Sequence, residues 1–462
     1  MGGREIIFGS MKPRVVVVGA GFGGLRAARV LGHSGKVQVT VLDKRNHHLF
    51  QPLLYQVATA ALNASDIAVP IRQVLANFKD IHVHMETVTA VDLEAKEVIT
   101  DSDRHPYDYL VLACGATHSY FGHDEWEELA PGLKTVEQAL EIRRRLLTSL
   151  ERAEKEDDPA VQARLLTFVV IGGGPTGVEL AGAVAELTRS ILASEFRNIK
   201  HHTARVILVQ GDDRLLPSFP PELSEKSKLA LERKGVEVKL GRVAKEVTPM
   251  GVRLEYEFIE TVNVLWAAGV KPSPLNKILG VPLDKQGRVV VDADLSLPGH
   301  KEVFVIGDQA HFDTPDGPLP GLGAVATQEG AACAHNILRE VAGKARRPFH
   351  YLDKGTMAVI GRNFAVSEIR TLKFSGYFAW LMWLFVHIML LVGFRNRVLV
   401  FINWAWSYVT FNRGARLITK AFWQDRESLP KPAGGDGATS PSRPAQGPVV
   451  GQPAQPDGAV KR

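Results

Sequence analysis

The sequence predicts an α/β protein with two dinucleotide-binding units of the Rossmann type, and three observations carry that expectation. An apolar, β-branched run followed at once by clustered glycines and a helix-forming stretch occurs at "RVVVVGAGFGGLRAARVL". The same pattern returns at "LLTFVVIGGGPTGVELAGAVAEL", with Gly172 where the first has Gly19. Between and after these segments strand-like and helical runs alternate, as parallel, doubly wound sheets require. At 462 residues the chain also exceeds one ordinary core.

In chain order, the expected strand at 14–18 is β-branched, the helix at 23–32 follows the glycines, and the strand at 37–42 closes on Asp43. Further strands are expected at 81–84, 108–113, 166–171, 205–210, 236–240, 262–266 and 302–306. Helices are expected at 135–155 and 177–195. The charged segment 151–164 ends the first half, the composition turns aromatic and apolar from 374, and it turns rich in Pro, Gly, Ser and Ala from about 426. That last tail has too few large apolar groups to offset the entropy of ordering it, so disorder is expected. The divisions read this way are 12–120, 121–164, 165–295, 296–373, 374–425 and 426–462.

Composition excludes several classes. The 55 basic and 50 acidic side chains leave a net charge of +5 with no concentrated basic run, so a nucleic-acid partner is not expected. Two cysteines, Cys114 and Cys333, rule out a disulfide scaffold, a CxxC pair and a cysteine-ligated metal site. No metal site is expected, and the His47–His48 pair is read as neither a metal site nor a point of covalent flavin attachment.

The first loop, Gly19-x-Gly21-x-x-Gly24, has three requirements built in. Gly19 permits a tight turn, Gly21 removes the Cβ that would block a pyrophosphate, and Gly24 lets helix and strand pack closely. Phosphates would then face the free N–H groups and positive end of the helix. Gly172, Gly174 and Gly177 repeat the arrangement, but the strand-end position there is Gln210 instead of an acid. Two dinucleotides in one chain imply electron transfer between a nicotinamide and a flavin. "VFVIGDQA", a strand ending in Gly307–Asp308, fits the grip that flavoproteins place on a ribityl chain.

The C-terminal run "YFAWLMWLFVHIMLLVGF" (377–394) has no charge, and at about 1.5 Å per residue it is borderline for a membrane span. "VLVFINWAWSYVTF" (398–411) is too short to return. Trp380, Trp383, Trp404 and Trp406, with Arg395, Arg397, Arg413, Arg416 and Lys420, suit a headgroup-level pair of elements. A single spanning helix stays open as the alternative.

The chain resembles the type II NADH:quinone oxidoreductases. The resemblance rests on "GAGFGGL" (19–25), "NHHLFQPLLYQVAT" (46–59), "LACGATHSYFGHDEW" (112–126), "GGGPTGVELAG" (172–182), "RLLPSFP" (214–220), "WAAGV" (266–270), "VFVIGD" (303–308) and "GFRNRVLVFINWAWSYVTF" (393–411). It implies an NADH domain inserted into an FAD domain, noncovalent FAD, no proton pumping, and C-terminal amphipathic helices on one membrane leaflet. Hydride would pass from NADH to FAD and two electrons onward to a membrane quinone, ubiquinone or menaquinone. By position, Gly19, Ala20, Gly21, Phe22, Gly23 and Gly24 would surround the FAD pyrophosphate. Asp43 would hold the adenosine ribose with Lys44 beside it, Val88 would lie near the adenine, and Ala113 and Asp308 would line the rest of the flavin. Gly172, Gly174, Thr176 and Gly177 would receive the NADH phosphates, with Gln210 at the ribose. Glu179 would lie near the nicotinamide, and Gln328 and Glu329 near the flavin edge where quinone docks. Read from the residues alone, Glu179 is an acid in a helix's first turn, and Gln328–Glu329 is a filler pair at a helix start.

The family commonly has Glu where this chain has Gln210. An amide neither accepts strongly from both ribose hydroxyls nor repels a 2′-phosphate, so acceptance of NADPH beside NADH is expected. A sulfide:quinone oxidoreductase-like flavoenzyme and a non-catalytic, membrane-docked flavin and NADH sensor are the alternatives. The first needs paired cysteines beside the flavin. A homodimer stays open, and with no secretory h-region in "MGGREIIFGSMKP" the expected location is the cytoplasmic face of a bacterial inner membrane.

Overall fold

Along the chain come β1 (Arg14–Val18), α1 (Phe22–Ser34), β2 (Gln38–Asp43), α2 (Leu54–Ala58), β3 (Ile81–Met85) and β4 (Tyr109–Leu112). Then follow α3 (Val136–Glu154), β5 (Thr167–Ile171), α4 (Pro175–Ser194), β6 (Arg205–Val209), α5 (Pro221–Arg233), β7 (Val236–Lys239) and β8 (Asn263–Trp266). After them come β9 (Ser296–Leu297), β10 (His300–Val305), α6 (Gly323–Val341), β11 (Thr356–Val359), β12 (Ala365–Ile369), β13 (Leu372–Gly376), α7 (Tyr377–Leu390) and α8 (Phe394–Thr410). This computed structural model describes residues 12–199, 204–410 and 415–418. The expected tail at 426–462, the leading residues 1–11, Arg413 and Lys420 lie outside the described residues.

Each expected strand and helix up to residue 306 is found within two residues of its predicted ends. Strand order in the larger sheet is β9-β10-β4-β1-β2-β3, and in the smaller one β7-β6-β5-β8. All four strands of the smaller sheet fall between β4 and β9 of the larger, so one unit is inserted in the other. β1 runs parallel to β2 and β4, with Val15 opposite Val39 and Tyr109. β5 repeats this between β6 and β8, with Val169 opposite Ile207 and Val264. These central strands are apolar without alternation because both faces are covered, which is why their sequence reads as a continuous β-branched run.

Helix α1 is covered by α6, and the two meet through glycine: a Cβ on Gly330 would sit 2.2 Å from the Gly23 carbonyl oxygen. Ala27, Ala28 and Leu31 of α1 and Cys333, Ala334 and Ile337 of α6 share one core. α5 was not expected from the sequence, and α6 begins at Gly323, ahead of the helix start read at Gln328–Glu329.

The C-terminal part departs from expectation. Residues 377–394 do not form one helix; α7 stops at Leu390 and the chain turns through Gly393 at φ +89° before α8. No helix among the described residues is long and apolar enough to cross a membrane. α7 packs on the antiparallel sheet β11-β12-β13, burying Ala379 and Trp383, so this sheet covers an apolar face that the sequence left to lipid. Trp383 is therefore a core residue, and Trp404 donates its indole N–H to Gln56 Oε1 at 2.7 Å. Arg395 is exposed, Arg397 bonds the Leu391 carbonyl at 2.8 Å, and Arg416 pairs with Glu195.

Candidate functional site

The first loop is shaped by contacts that exclude side chains. Gly19 takes φ +93°, and a Cβ there would lie 2.4 Å from the Ala113 carbonyl oxygen. A Cβ on Gly24 would lie 1.8 Å from the Gly19 oxygen. Gly21, by contrast, has nothing within 4 Å of its Cβ position. Gly19 and Gly24 thus serve the fold, while Gly21 keeps open the space a pyrophosphate needs at the start of α1. Ala20 donates its N–H to Asp43 Oδ2 at 2.7 Å, and Arg45 donates to Oδ1 at 2.8 Å, fixing the carboxylate at the end of β2. Lys44 is exposed beside it, and Val88 is half-buried in the strand Val88–Asp92.

Ala113 closes the other side of the loop through its N–H on Val18 O at 2.8 Å. Asp308 sits in the single turn Gly307–Gln309, opened by Gly307 at φ +74°. His48 bonds the Ala20 carbonyl through Nδ1 at 2.9 Å, sets its ring edge-on to Phe22, and has a buried Nε2 with no partner among the described residues. An open glycine, a fixed carboxylate and an unsatisfied buried ring nitrogen fit an FAD. Burial pushes the Cys114 thiol up to about 12, so it is inert at neutral pH, and it has no partner cysteine.

The second loop repeats the first. Gly172 takes φ +111° against Ala267, a Cβ on Gly177 would lie 1.7 Å from the Gly172 oxygen, and Gly174 faces open space. Thr176 is exposed at the start of α4. Gln210 Oε1 accepts the Gly173 N–H at 2.6 Å, as Asp43 does from Ala20, and its Nε2 donates to Asp212 Oδ2 at 2.6 Å. A cleft of about 580 Å³ opens here, lined by Gly172, Gly174, Gln210, Asp212, Arg242 and Trp266 among others. Asp212 was missed by sequence reasoning. Its only signal was an acid two residues beyond the strand-end position.

Glu179 is the fifth residue of α4, because the helix begins at Pro175, so the first-turn reading does not hold. Burial pushes its carboxyl up to about 8, against the pull of one N–H, that of Val359 on Oε1 at 3.3 Å. Glu329 lies two turns into α6, buried, with Oε2 accepting the Gly307 N–H at 2.6 Å. Burial, with Asp308 nearby, raises it to about 7. Gln328, also well inside α6 instead of capping it, commits both ends of its amide to the Leu352 backbone at 3.0 Å each. The structure thus ties Glu329 to the Gly307–Gln309 turn, Glu179 to the C-terminal sheet, and Gln328 to the segment leading into that sheet.

Aromatic rings lead from the first loop to the C-terminal helices. Phe22 lies 5.8 Å from Phe50, Phe50 6.2 Å from His387, and His387 stacks on Trp383 at 4.1 Å. On the outer side, Phe378, Leu381, Phe385 and Met389 of α7 and Val398, Phe401 and Ile402 of α8 are exposed.

Residues 13–330 match the pyridine nucleotide-disulphide oxidoreductase family, and residues 354–413 match the NDH2 C-terminal domain. The type II NADH:quinone oxidoreductases Ndh and NdhA of Mycobacterium tuberculosis are 40% and 42% identical to it, each alignment covering 88% of this chain and 90% and 89% of theirs. An internal alternative NAD(P)H-ubiquinone oxidoreductase of Arabidopsis thaliana is 32% identical over 86% of this chain and 84% of its own. Among solved structures, NDH2 of Plasmodium falciparum in complex with NADH shares the fold with a TM-score of 0.80, at 20% identity, over 88% of this chain and 100% of that one. The sulfide:quinone oxidoreductase of Aquifex aeolicus has a TM-score of 0.68, also at 20% identity, over 83% and 92%.

Proposed function

Because the chain belongs to the type II NADH:quinone oxidoreductases, a branch of the pyridine nucleotide-disulphide oxidoreductase family, we propose that it oxidises NADH and reduces a membrane quinone without pumping protons. The observation that carries this reading is the doubled glycine loop, each with an open central glycine, on two sheets, one parallel and one parallel but for its edge pair β9–β10, of which the first is inserted in the second. The division that follows gives 12–120 and 296–373 to noncovalent FAD, 165–295 to NADH, 121–164 to a connection and 374–425 to a lipid surface.

A flavin held at the first loop supplies a two-electron acceptor that a quinone can empty. The chain's own contribution is positioning and proton handling. Gly19 and Ala20 spend their N–H groups on Leu42 and Asp43 and so shape the loop, while the N–H groups at the start of α1, from Gly21 to Gly24, would face the FAD pyrophosphate, and Asp43 keeps lone pairs for the ribose hydroxyls. Ala113 and Asp308 line the remainder, with Lys44 and Val88 at the adenosine end. Gly172, Gly174, Thr176 and Gly177 receive the NADH phosphates, and Gln210 stands at the ribose. At neutral pH Glu179 holds a proton, and its Oε2 is free of the Val359 bond. Glu329 titrates near neutrality beside Asp308. These two carboxyls are suited to deliver the protons that quinone reduction consumes. Gln328 holds the Leu352 segment at the acceptor side.

The exposed apolar stripe of α7 and α8 docks on one leaflet, so a quinone reaches the flavin end from lipid. The cytoplasmic face of a bacterial inner membrane suits this arrangement, since NADH is made there. The test is to purify the protein, measure FAD content, and follow flavin bleaching by NADH without oxygen, then recovery with ubiquinone and menaquinone analogues. A colourless chain that takes up no FAD overturns the reading. Bleaching without quinone turnover favours the sensor, and bleaching by sulfide favours the sulfide enzyme.

A further inference from the structure

The end of β6 is where dinucleotide-binding domains place the carboxylate that accepts from the ribose hydroxyls and repels a 2′-phosphate. Here that residue is Gln210, and the sequence expectation was acceptance of NADPH. The geometry points to a different selector: we infer that Asp212, held in place by Gln210, sets NADH over NADPH. The inference rests on the reading that the second loop binds a reduced nicotinamide dinucleotide.

Two tasks that one acid performs in the first unit are divided between two residues in the second. In the first, Asp43 both accepts the N–H of the residue after Gly19 and presents a charge to the ribose side. In the second, Gln210 Oε1 takes over the accepting role, bonding the N–H of the residue after Gly172 at 2.6 Å. That donor fixes which end of the amide is oxygen, so the opposite end must be Nε2. It donates to Asp212 Oδ2 at 2.6 Å. A glutamate at 210 would put two carboxylates at that distance. The amide is therefore what lets a charged group stand two residues on. Asp212 is anchored a second time, its carbonyl accepting the Gly241 N–H at 2.8 Å, and it lines the same cleft as Gly172 and Gly174.

Two cations also line that cleft, and both are directed elsewhere. The Arg242 guanidinium lies over the Tyr256 ring, 5.2 Å from its centre, and the Lys245 ammonium is 3.4 Å from Glu255. With both cations engaged by other groups, the Asp212 carboxylate is the charge fixed beside Gln210, at the strand end where the ribose of a dinucleotide sits. Because Asp212 is exposed, the repulsion is screened by solvent, and selection of about tenfold is expected, not thousands.

The experiment measures dissociation constants of NAD⁺ and NADP⁺ on the FAD-loaded full chain by calorimetry, for the natural protein and for Asp212→Asn. The natural protein is expected to bind NADP⁺ about tenfold more weakly than NAD⁺, and Asp212→Asn to bring the two within about twofold. Independently of any variant, the natural preference should shrink between ionic strengths of about 0.01 M and about 1 M, as screening shortens from about 30 Å to about 3 Å. An unchanged ratio in Asp212→Asn, or a natural ratio indifferent to salt, overturns the inference while leaving the proposed activity intact. Failure of the natural protein to bind either nucleotide overturns both.

Discussion

The two kinds of glycine in the second loop should fail in opposite ways. Gly177→Ala would place a Cβ 1.7 Å from the Gly172 carbonyl oxygen, more than an ångström inside the 3.0 Å that real Cβ contacts respect. The neighbour is backbone, so it cannot swing aside; α4 must slide off β5. Overpacking of that severity is expected to cost about 3 kcal/mol or more. Gly174→Ala is different: φ −72° and ψ −178° suit any residue, and nothing lies within 4 Å of the new methyl. Its effect on stability should be a loss of about 0.5–1 kcal/mol, the gap between Ala and Gly at an N-cap. The methyl does enter the open space that the proposed function gives to the NADH pyrophosphate, so NAD⁺ affinity should fall at least about tenfold, or about 1.4 kcal/mol. Thermal unfolding followed by far-UV circular dichroism, with NAD⁺ titration of the same samples, separates the two effects. A Gly177→Ala protein that melts like the natural one, or a Gly174→Ala protein that keeps its NAD⁺ affinity, would refute the reasoning.

Glu179→Gln should keep flavin content while slowing quinone reduction at least about tenfold, and the alkaline limb of the rate profile near pH 8 should disappear; unchanged kinetics would remove Glu179 from the mechanism. Folding raises this carboxyl from 4.5 to about 8, so the folded state holds the extra proton between those values. Its effect is that stability falls as pH rises through that window, and the glutamine variant should lack this fall in denaturant titrations at pH 5 and about 8. Serine at Phe378, Phe385 and Phe401 together should abolish sedimentation with vesicles yet keep NADH:ferricyanide activity, whereas continued sedimentation would place the lipid surface elsewhere. Deleting the helices outright cannot make that test, because Trp383 is 1% exposed; Trp383→Ala alone should cost about 3–5 kcal/mol, read as a lowered unfolding midpoint.

Much of this protein is written locally. Continuous β-branched runs such as Val15–Val18 announce strands buried on both faces, and the glycines that follow announce a left-handed turn at Gly19 and Gly172 and close packing at Gly24 and Gly177, so both Rossmann units and their loops were legible. Other elements were hidden because their signal is shared with alternatives. An uncharged aromatic stretch reads alike whether lipid or a β-sheet covers it, and only the folded chain puts β12 and β13 against α7, the helix in which Trp383 is buried. The start of α4 at Pro175 likewise moved Glu179 out of the first turn. What tertiary structure alone decides is which groups lose water and which partners they meet instead. Glu179 takes its perturbed acidity from burial, with its one bond to Val359, 180 residues away, and Gln328 spends its amide on Leu352. Gln210 reads in sequence as a missing charge, but in the fold it is the amide that steadies Asp212, because hydrogen-bond direction and desolvation depend on neighbours that no local pattern specifies.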